Sequence, residues 1–136
     1  MKILVTGLSD AYFAPMLRGF LNYYLPEDSK LYCTENDVKP SKLSIKLMDS
    51  VGIDITKRIS SSLSDTQIHT MDLIISTTEE ASNFVIKNDS SKNVKSHHLN
   101  MILNSFDTEK ELKKNLKKVR KHLQKFSEQL LEKVES

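Results

Sequence analysis

The segment Gly7-Leu8-Ser9-Asp10-Ala11-Tyr12-Phe13 separates a β-branched apolar run, Ile3 to Thr6, from a helical pattern that opens near Ala14. A loop of this length between a strand and a helix can curl its backbone N–H groups around an oxyanion at the positive end of the helix. A catalytic loop of that shape carries a nucleophile at its start and a cation at its end. Those two places hold Gly7 and Phe13, which supply neither. Two polar side chains remain. The amides of Leu8, Ser9, Asp10 and Ala11 could still converge on an anion, with the Ser9 hydroxyl as a further donor. Asp10 opposes this, because like charges roughly 4 Å apart repel by about 4 kcal/mol at an effective dielectric near 20. That would cancel several amide hydrogen bonds of about 1 kcal/mol each. The plainer reading has Asp10 brace the loop or cap the helix, with Tyr12 and Phe13 filling space. A relocated nucleophile at Thr6, Ser9 or Asp10 would need a base from elsewhere, since no histidine or lysine is near in sequence. No catalytic residue is assigned.

The other chemistry-bearing residues are sparse. Cys33 is the one cysteine of the chain, which excludes an intramolecular disulfide, a multi-cysteine metal site and a thiol relay. Within a mainly apolar strand it reads as an inert buried thiol. His97 and His98 are adjacent, so in a strand they point to opposite faces and do not readily share a metal. No metal and no cofactor are expected. A net charge of +2 implies neither nucleic acid nor membrane as a partner. No apolar run approaches the roughly 20 residues of a membrane span, and Asp10 spoils any leader-like stretch, so a cytoplasmic protein is expected.

The terminal helix carries the one strongly charged surface. Leu112, Leu116, Val119, Leu123, Phe126 and Leu130 form an apolar stripe at spacings of four and three. The opposite side holds Lys113, Lys114, Lys117, Lys118, Arg120, Lys121 and Lys125. The bland reading is a core-facing stripe with a solvated basic face. The functional one is an electrostatic patch for an acidic protein partner, and the lack of interleaved aromatics argues against nucleic acid.

These residues are positioned by a chain of 136 residues, enough for one domain spanning 1–136 that buries roughly two-thirds of its unfolded surface. Lys2 to Thr6 reads as a central strand. The helix from about Ala14 accepts Pro15 in its first turn, presents Met16, Leu17, Phe20, Leu21 and Tyr24 on one face, and stops at Pro26. Lys30 to Thr34 reads as a second strand, followed by a polar loop, Glu35 to Lys39. Pro40-Ser41 opens a helix with Leu43, Ile45, Leu47, Met48 and Val51 on its apolar side and Gly52 as C-terminal cap. Ser60 to Asp65 reads as a loop or helix cap. Asp72 to Ser76 is a third, buried strand, Thr77 to Lys87 a helix with acidic residues in its first turn, and Asn93 to Leu99 a fourth strand. A helix then runs from about 107 to 134, with Thr108 and Glu111 as a capping-box pair. Alternating strands and helices predict an α/β three-layer sandwich around a four-stranded parallel sheet, with ligands outside the C-terminal ends of the strands. The Gly7–Phe13 loop follows the first strand at that end.

The order of these signals resembles the low-molecular-weight protein tyrosine phosphatase family, which includes the thioredoxin-coupled arsenate reductases. The likeness rests on MKIL before the loop, on Met16 and Gly19-Phe20, and on Lys46 to Ile55 followed by Arg58 and Ser60 to Leu63. It extends to Asp72 to Thr78 and to the terminal helix. The resemblance implies a loop cysteine whose thiolate attacks phosphorus, a loop arginine that holds the phosphate, and a late Asp-Pro as general acid. Aligned from Gly19-Phe20, the cysteine falls on Gly7, the arginine on Phe13 and the loop asparagine on Asp10. No proline follows Pro40, so the Asp-Pro is absent; the corresponding region, near His98 to Ile102, offers Asn100, with Asp107 a poor substitute. Arsenate reduction needs cysteines the chain lacks. A sugar-phosphotransferase IIB-like protein, with similar architecture, would also need a loop cysteine, and Val51 to Ile55 favours the phosphatase likeness. The expectation is a catalytically inactive phosphatase-like protein that binds a protein partner or a small anionic ligand. The alternative is an enzyme with new chemistry in the same cleft.

Overall fold

Pairing in register sets the order of the sheet. In a computed structural model that describes residues 1–57, 60–88, 95–98 and 109–135, the central strand β1 (Lys2–Thr6) leads through α1 (Phe13–Tyr24) to β2 (Lys30–Thr34). The chain continues through α2 (Lys42–Asp49), β3 (Ser61–Leu63) and a 3-10 turn (Asp65–Thr70). β4 (Leu73–Ser76), α3 (Glu79–Asn88), β5 (Lys95–His98) and α4 (Glu109–Glu135) follow. All pairings are parallel, and the spatial order is β3-β2-β1-β4-β5. The four expected strands form the α/β sheet. A short fifth strand joins its edge where the serines at 61 and 62 read as loop, because Tyr32 to Thr34 offer an open ladder to Ser61, Ser62 and Leu63.

Successive residues of a strand face opposite sides, and β1 feeds two cores. Ile3 and Val5 join Met16, Leu17, Phe20, Leu47, Met48 and Leu123 on the side covered by α1, α2 and α4. Leu4 and Ile74 join Leu63, Ile68, Met71 and Val85 on the side covered by α3 and the 3-10 turn. Ser41 caps α2 by accepting from the Ser44 amide at 3.1 Å, and Gly52 takes φ +81° just beyond its end. Val51 falls outside the core and is 39% exposed, because the helix has ended before it. Asp54 closes the next turn by accepting from Thr56 Oγ1 and the Thr56 amide, bonds that hold its carboxyl below the usual carboxylate range.

On α4, Leu123 is buried, and Phe126 and Leu130 pack against the first core. Arg120 departs from the basic face. Its Nη1 donates to the Leu47 carbonyl at 3.3 Å and to Ser50 Oγ at 2.8 Å, closing the C-terminal end of α2. The side chains of Leu112, Leu116 and Val119, together with Arg58, the region 99–108 and the capping-box pair, lie outside the described residues. Among the described residues no helix is long and apolar enough to cross a membrane.

Candidate functional site

The sheet order reverses at β1, with β2 on one side and β4 on the other, and the loop Gly7–Tyr12 leaves β1 at that switch point. A turn closed by the Asp10 amide on the Gly7 carbonyl (3.0 Å) starts the loop. Leu8 sits within it at φ +52°, left-handed for a residue with a Cβ. The segment after β4 holds the loop from one side. Thr77 N donates to the Thr6 carbonyl (3.0 Å), and Thr78 Oγ1 to the Gly7 carbonyl (3.2 Å). The loop after β2 holds it from the other, through Val38 N on the Leu8 carbonyl (3.0 Å) and Ser41 N on the Ala11 carbonyl (2.8 Å).

Two carboxylates occupy the donors that such a loop would offer an anion. Asp37 Oδ1 accepts from Thr6 Oγ1 (3.0 Å), Gly7 N (3.0 Å) and Leu8 N (2.8 Å). Its Oδ2 accepts from Thr34 N (2.7 Å) and Thr34 Oγ1 (3.0 Å) and lies 4.0 Å from Arg18 Nη1. Asp10, 4% exposed, turns inward. Its Oδ1 accepts from the amides of Tyr12 and Phe13 (both 2.9 Å), and Oδ2 from Ala14 N (3.0 Å) and Thr77 Oγ1 (2.7 Å). These amides belong to the unpaired first turn of α1, so Asp10 serves as a built-in anion at the helix N-terminus.

The sequence-predicted loop residues are therefore brought together, and the amides of Leu8 and Asp10 turn to internal partners, whereas among the described residues those of Ser9 and Ala11 meet no acceptor. The amides of Gly7, Leu8, Asp10, Tyr12 and Phe13 are all engaged. The Ser9 hydroxyl donates outward to Glu80 Oε2 at 3.1 Å. Phe13 is buried in the first core, with Tyr12 packed at its edge. Sequence reasoning missed Asp37 and Arg18. Arg18 is 6% exposed on α1 and donates through Nη1 to the Val5 carbonyl at 2.8 Å.

Solved structures share this fold over almost their whole length. The YwlE arginine phosphatase from Geobacillus stearothermophilus superposes with a TM-score of 0.77 at 16% identity, covering 98% of this chain and 92% of that one. The tyrosine phosphatase Wzb from Escherichia coli, solved with sulphate, gives 0.74 at 14% identity, covering 98% and 97%. YfkJ from Bacillus subtilis gives 0.72 at 15% identity, covering 99% and 94%. The fold is that of the low-molecular-weight tyrosine phosphatases. No protein-family model and no curated protein sequence matches the chain.

The sequence resemblance leads to the expectation that the nucleophile's place falls on Gly7. A Cβ built there would lie 2.5 Å from Thr77 Oγ1 and 2.8 Å from both Ala14 Cβ and Asp10 Cβ. Thr77 and Ala14 are fully buried and Asp10 nearly so, so the crowding has little freedom to relax. The glycine and its tight surroundings belong together.

Away from the loop, Lys114, Lys117, Lys118 and Lys121 are exposed on α4, while the side chain of Lys113 lies outside the described residues. Cys33 is half-buried, and Tyr23 is 68% exposed where its neighbour Tyr24 packs against α4 through Gln124 and Glu128. His97 and His98 lie in β5, with side chains outside the described residues. Among the described residues no group of three or more His, Cys, Asp or Glu is placed to hold a metal ion.

Proposed function

We propose that this chain uses the phosphatase fold as a binding module and turns over neither phosphate esters nor arsenate. The observation that carries the reading is the double filling of the loop, with Asp37 on the amides of Gly7 and Leu8 and Asp10 on those of Tyr12, Phe13 and Ala14. A phosphate entering the loop would have to displace a carboxylate from each set of donors. It would then meet no thiolate and no guanidinium from the loop itself, because Gly7 and Phe13 stand in their places. The partner is an acidic protein surface drawn to the exposed Lys114, Lys117, Lys118 and Lys121, or a small anionic ligand.

Hydrolysis of para-nitrophenyl phosphate is expected to stay at the level of a heat-denatured control. Turnover above it that vanishes in Ser9→Ala or Asp10→Asn would overturn the reading. A pull-down with the four exposed lysines changed to glutamine is expected to lose an acidic partner that the unaltered chain retains.

One contact favours a second reading, an enzyme with new chemistry in the same cleft. Ser9 Oγ lies 3.1 Å from Glu80 Oε2, a nucleophile beside a general base. Against it, the amides of Gly7, Leu8, Tyr12 and Phe13, which could stabilise a developing oxyanion, are already engaged. Loss of any measured turnover in Glu80→Gln as well as Ser9→Ala would favour it.

A further inference from the structure

Beside the loop, on its β2 side, a cleft of about 540 Å³ opens between the start of α1, the end of β2, the Glu35–Pro40 loop and α2. We propose that this cleft binds a small organic monocarboxylate with an apolar body, through Arg18. The proposal rests on Arg18 and stands whether or not the neighbouring loop is silent.

The volume falls within the range of small-molecule sites, and such sites combine apolar walls with a few fixed polar groups. Pro15, Val38, Ile45 and Ile55 supply apolar wall. Arg18 supplies the polar group, and it is 94% buried, being 6% exposed. Burying a guanidinium is costly unless its charge and donors are answered. Here Nη1 donates to the Val5 carbonyl, and Asp37 Oδ2 stands off at 4.0 Å. Asp37 is itself held by Thr6, Gly7, Leu8 and Thr34, so it answers only part of the charge. Among the described residues the other guanidinium N–H groups meet no protein acceptor. A planar fork with spare donors at an apolar cavity suits a carboxylate.

Charge selects the monoanion. Among the described residues Arg18, Lys39 and Lys57 line the cleft against Glu35 and Asp37, three cations to two carboxylates, which leaves one positive charge to balance. A phosphate monoester dianion would leave an excess negative charge beside those two acids.

Hexanoate, its neutral isostere hexanamide, and hexyl phosphate are the probes. In protein with labelled isoleucine methyls, hexanoate is expected to shift Ile45 and Ile55 and to slow alkylation of Cys33, which lines the same cleft. Hexanamide is expected to bind about tenfold or more weakly, the loss of a charge-assisted pair, and hexyl phosphate more weakly than hexanoate. Equal binding of hexanoate and hexanamide, or no shift up to the solubility limit, overturns the proposal. Tighter binding of hexyl phosphate overturns the monoanion assignment. Arg18→Gln is expected to erase the preference for hexanoate over hexanamide. Because Arg18 is buried, Val38→Glu at the 40% exposed wall serves as the second variant. Both probes lose the same stretch of apolar wall, so hexanoate is expected to weaken severalfold more than hexanamide, and an equal change in the two overturns the proposal. Aryl phosphate turnover in a protein that still binds hexanoate would overturn the binding-module reading of the loop and leave this one standing.

Discussion

The amide of Leu8 donates to Asp37 Oδ1 at 2.8 Å across 29 residues of sequence, and the carbonyl of Leu8 accepts from the amide of Val38. The left-handed turn at Leu8 is thus clamped on both sides by one loop. The same carboxylate oxygen takes the Gly7 amide at 3.0 Å. A side chain from the β2 loop does for this turn what an external anion does elsewhere: it gathers convergent N–H groups that would otherwise lie near one another unpaired.

Asp37→Ala removes that acceptor and leaves buried amides and Arg18 unanswered. The expected loss is about 3–5 kcal/mol, the range for breaking a buried charge pair from one side. Urea unfolding midpoints measure it. The variant also opens a carboxylate-sized vacancy on free amides. Formate, compared with chloride at equal ionic strength, is expected to raise the midpoint of Asp37→Ala and leave the unaltered protein unchanged. Equal responses would mean that these amides do not form an anion site.

At Leu8 two effects oppose each other. Truncation to alanine deletes a side chain only 8% exposed, at about 2–5 kcal/mol for a buried leucine, and keeps the strained φ of +52°. Glycine deletes one carbon more but releases about 1–2 kcal/mol of left-handed strain, against about 0.5–1 kcal/mol of added chain entropy. Leu8→Gly is therefore expected to be less destabilised than Leu8→Ala, by up to about 1 kcal/mol, reversing the usual order. Thermal or urea unfolding of the pair decides it.

What the sequence made legible follows from periodicity. β1, α1, β2, β4 and α3 were readable because apolar spacing and local capping residues lie within each element, and the loop was readable because it joins two of them. Asp37 was not, because it acts on residues 29 to 31 positions away and looks like any acid in a polar loop. Arg18 was hidden for a related reason: burial in α1 is decided by the Val5 carbonyl and Asp37, neither of which lies in the helix. Ser61 and Ser62 have the local signature of a loop, and β2 makes them a strand. Arg120 sits among lysines in sequence and is drawn out of that face by the end of α2.

Asp10 offers a test of the helix N-terminus. All four contacts of its carboxylate are to donors, three amides and Thr77 Oγ1. Asp10→Asn puts an NH2 group against at least one of them, so it is expected to cost about 1–3 kcal/mol, the penalty of a buried donor left unpaired. Asp10→Ser keeps an oxygen that can reach one amide and retains part of the cap, typically about 1 kcal/mol. A stability order of aspartate above serine above alanine is expected from unfolding curves, together with faster hydrogen exchange at Phe13 and Ala14 in the alanine variant. Equal exchange rates would show that Asp10 does not hold the start of α1.

Placing a thiol at Gly7 and a guanidinium at Phe13 is expected not to produce phosphatase chemistry, for a reason of packing. A Cβ at Gly7 meets Thr77 Oγ1 at 2.5 Å and the Cβ atoms of Ala14 and Asp10 at 2.8 Å. Each lies below normal contact, and all three neighbours are buried. Overpacking of this kind costs about 1–3 kcal/mol, so Gly7→Ala is expected to lower the urea midpoint although alanine adds a single methyl group. In Gly7→Cys with Phe13→Arg, the thiol can be seated only by moving Thr77 or the first turn of α1, and the new guanidinium starts from a position buried in an apolar core. The double variant is expected to be less stable than either parent substitution and to show no burst with para-nitrophenyl phosphate. A stoichiometric burst from it would show that the loop forms a working phosphate cradle once it holds a thiol and a guanidinium, and that Asp37 and Asp10 yield their donors to substrate.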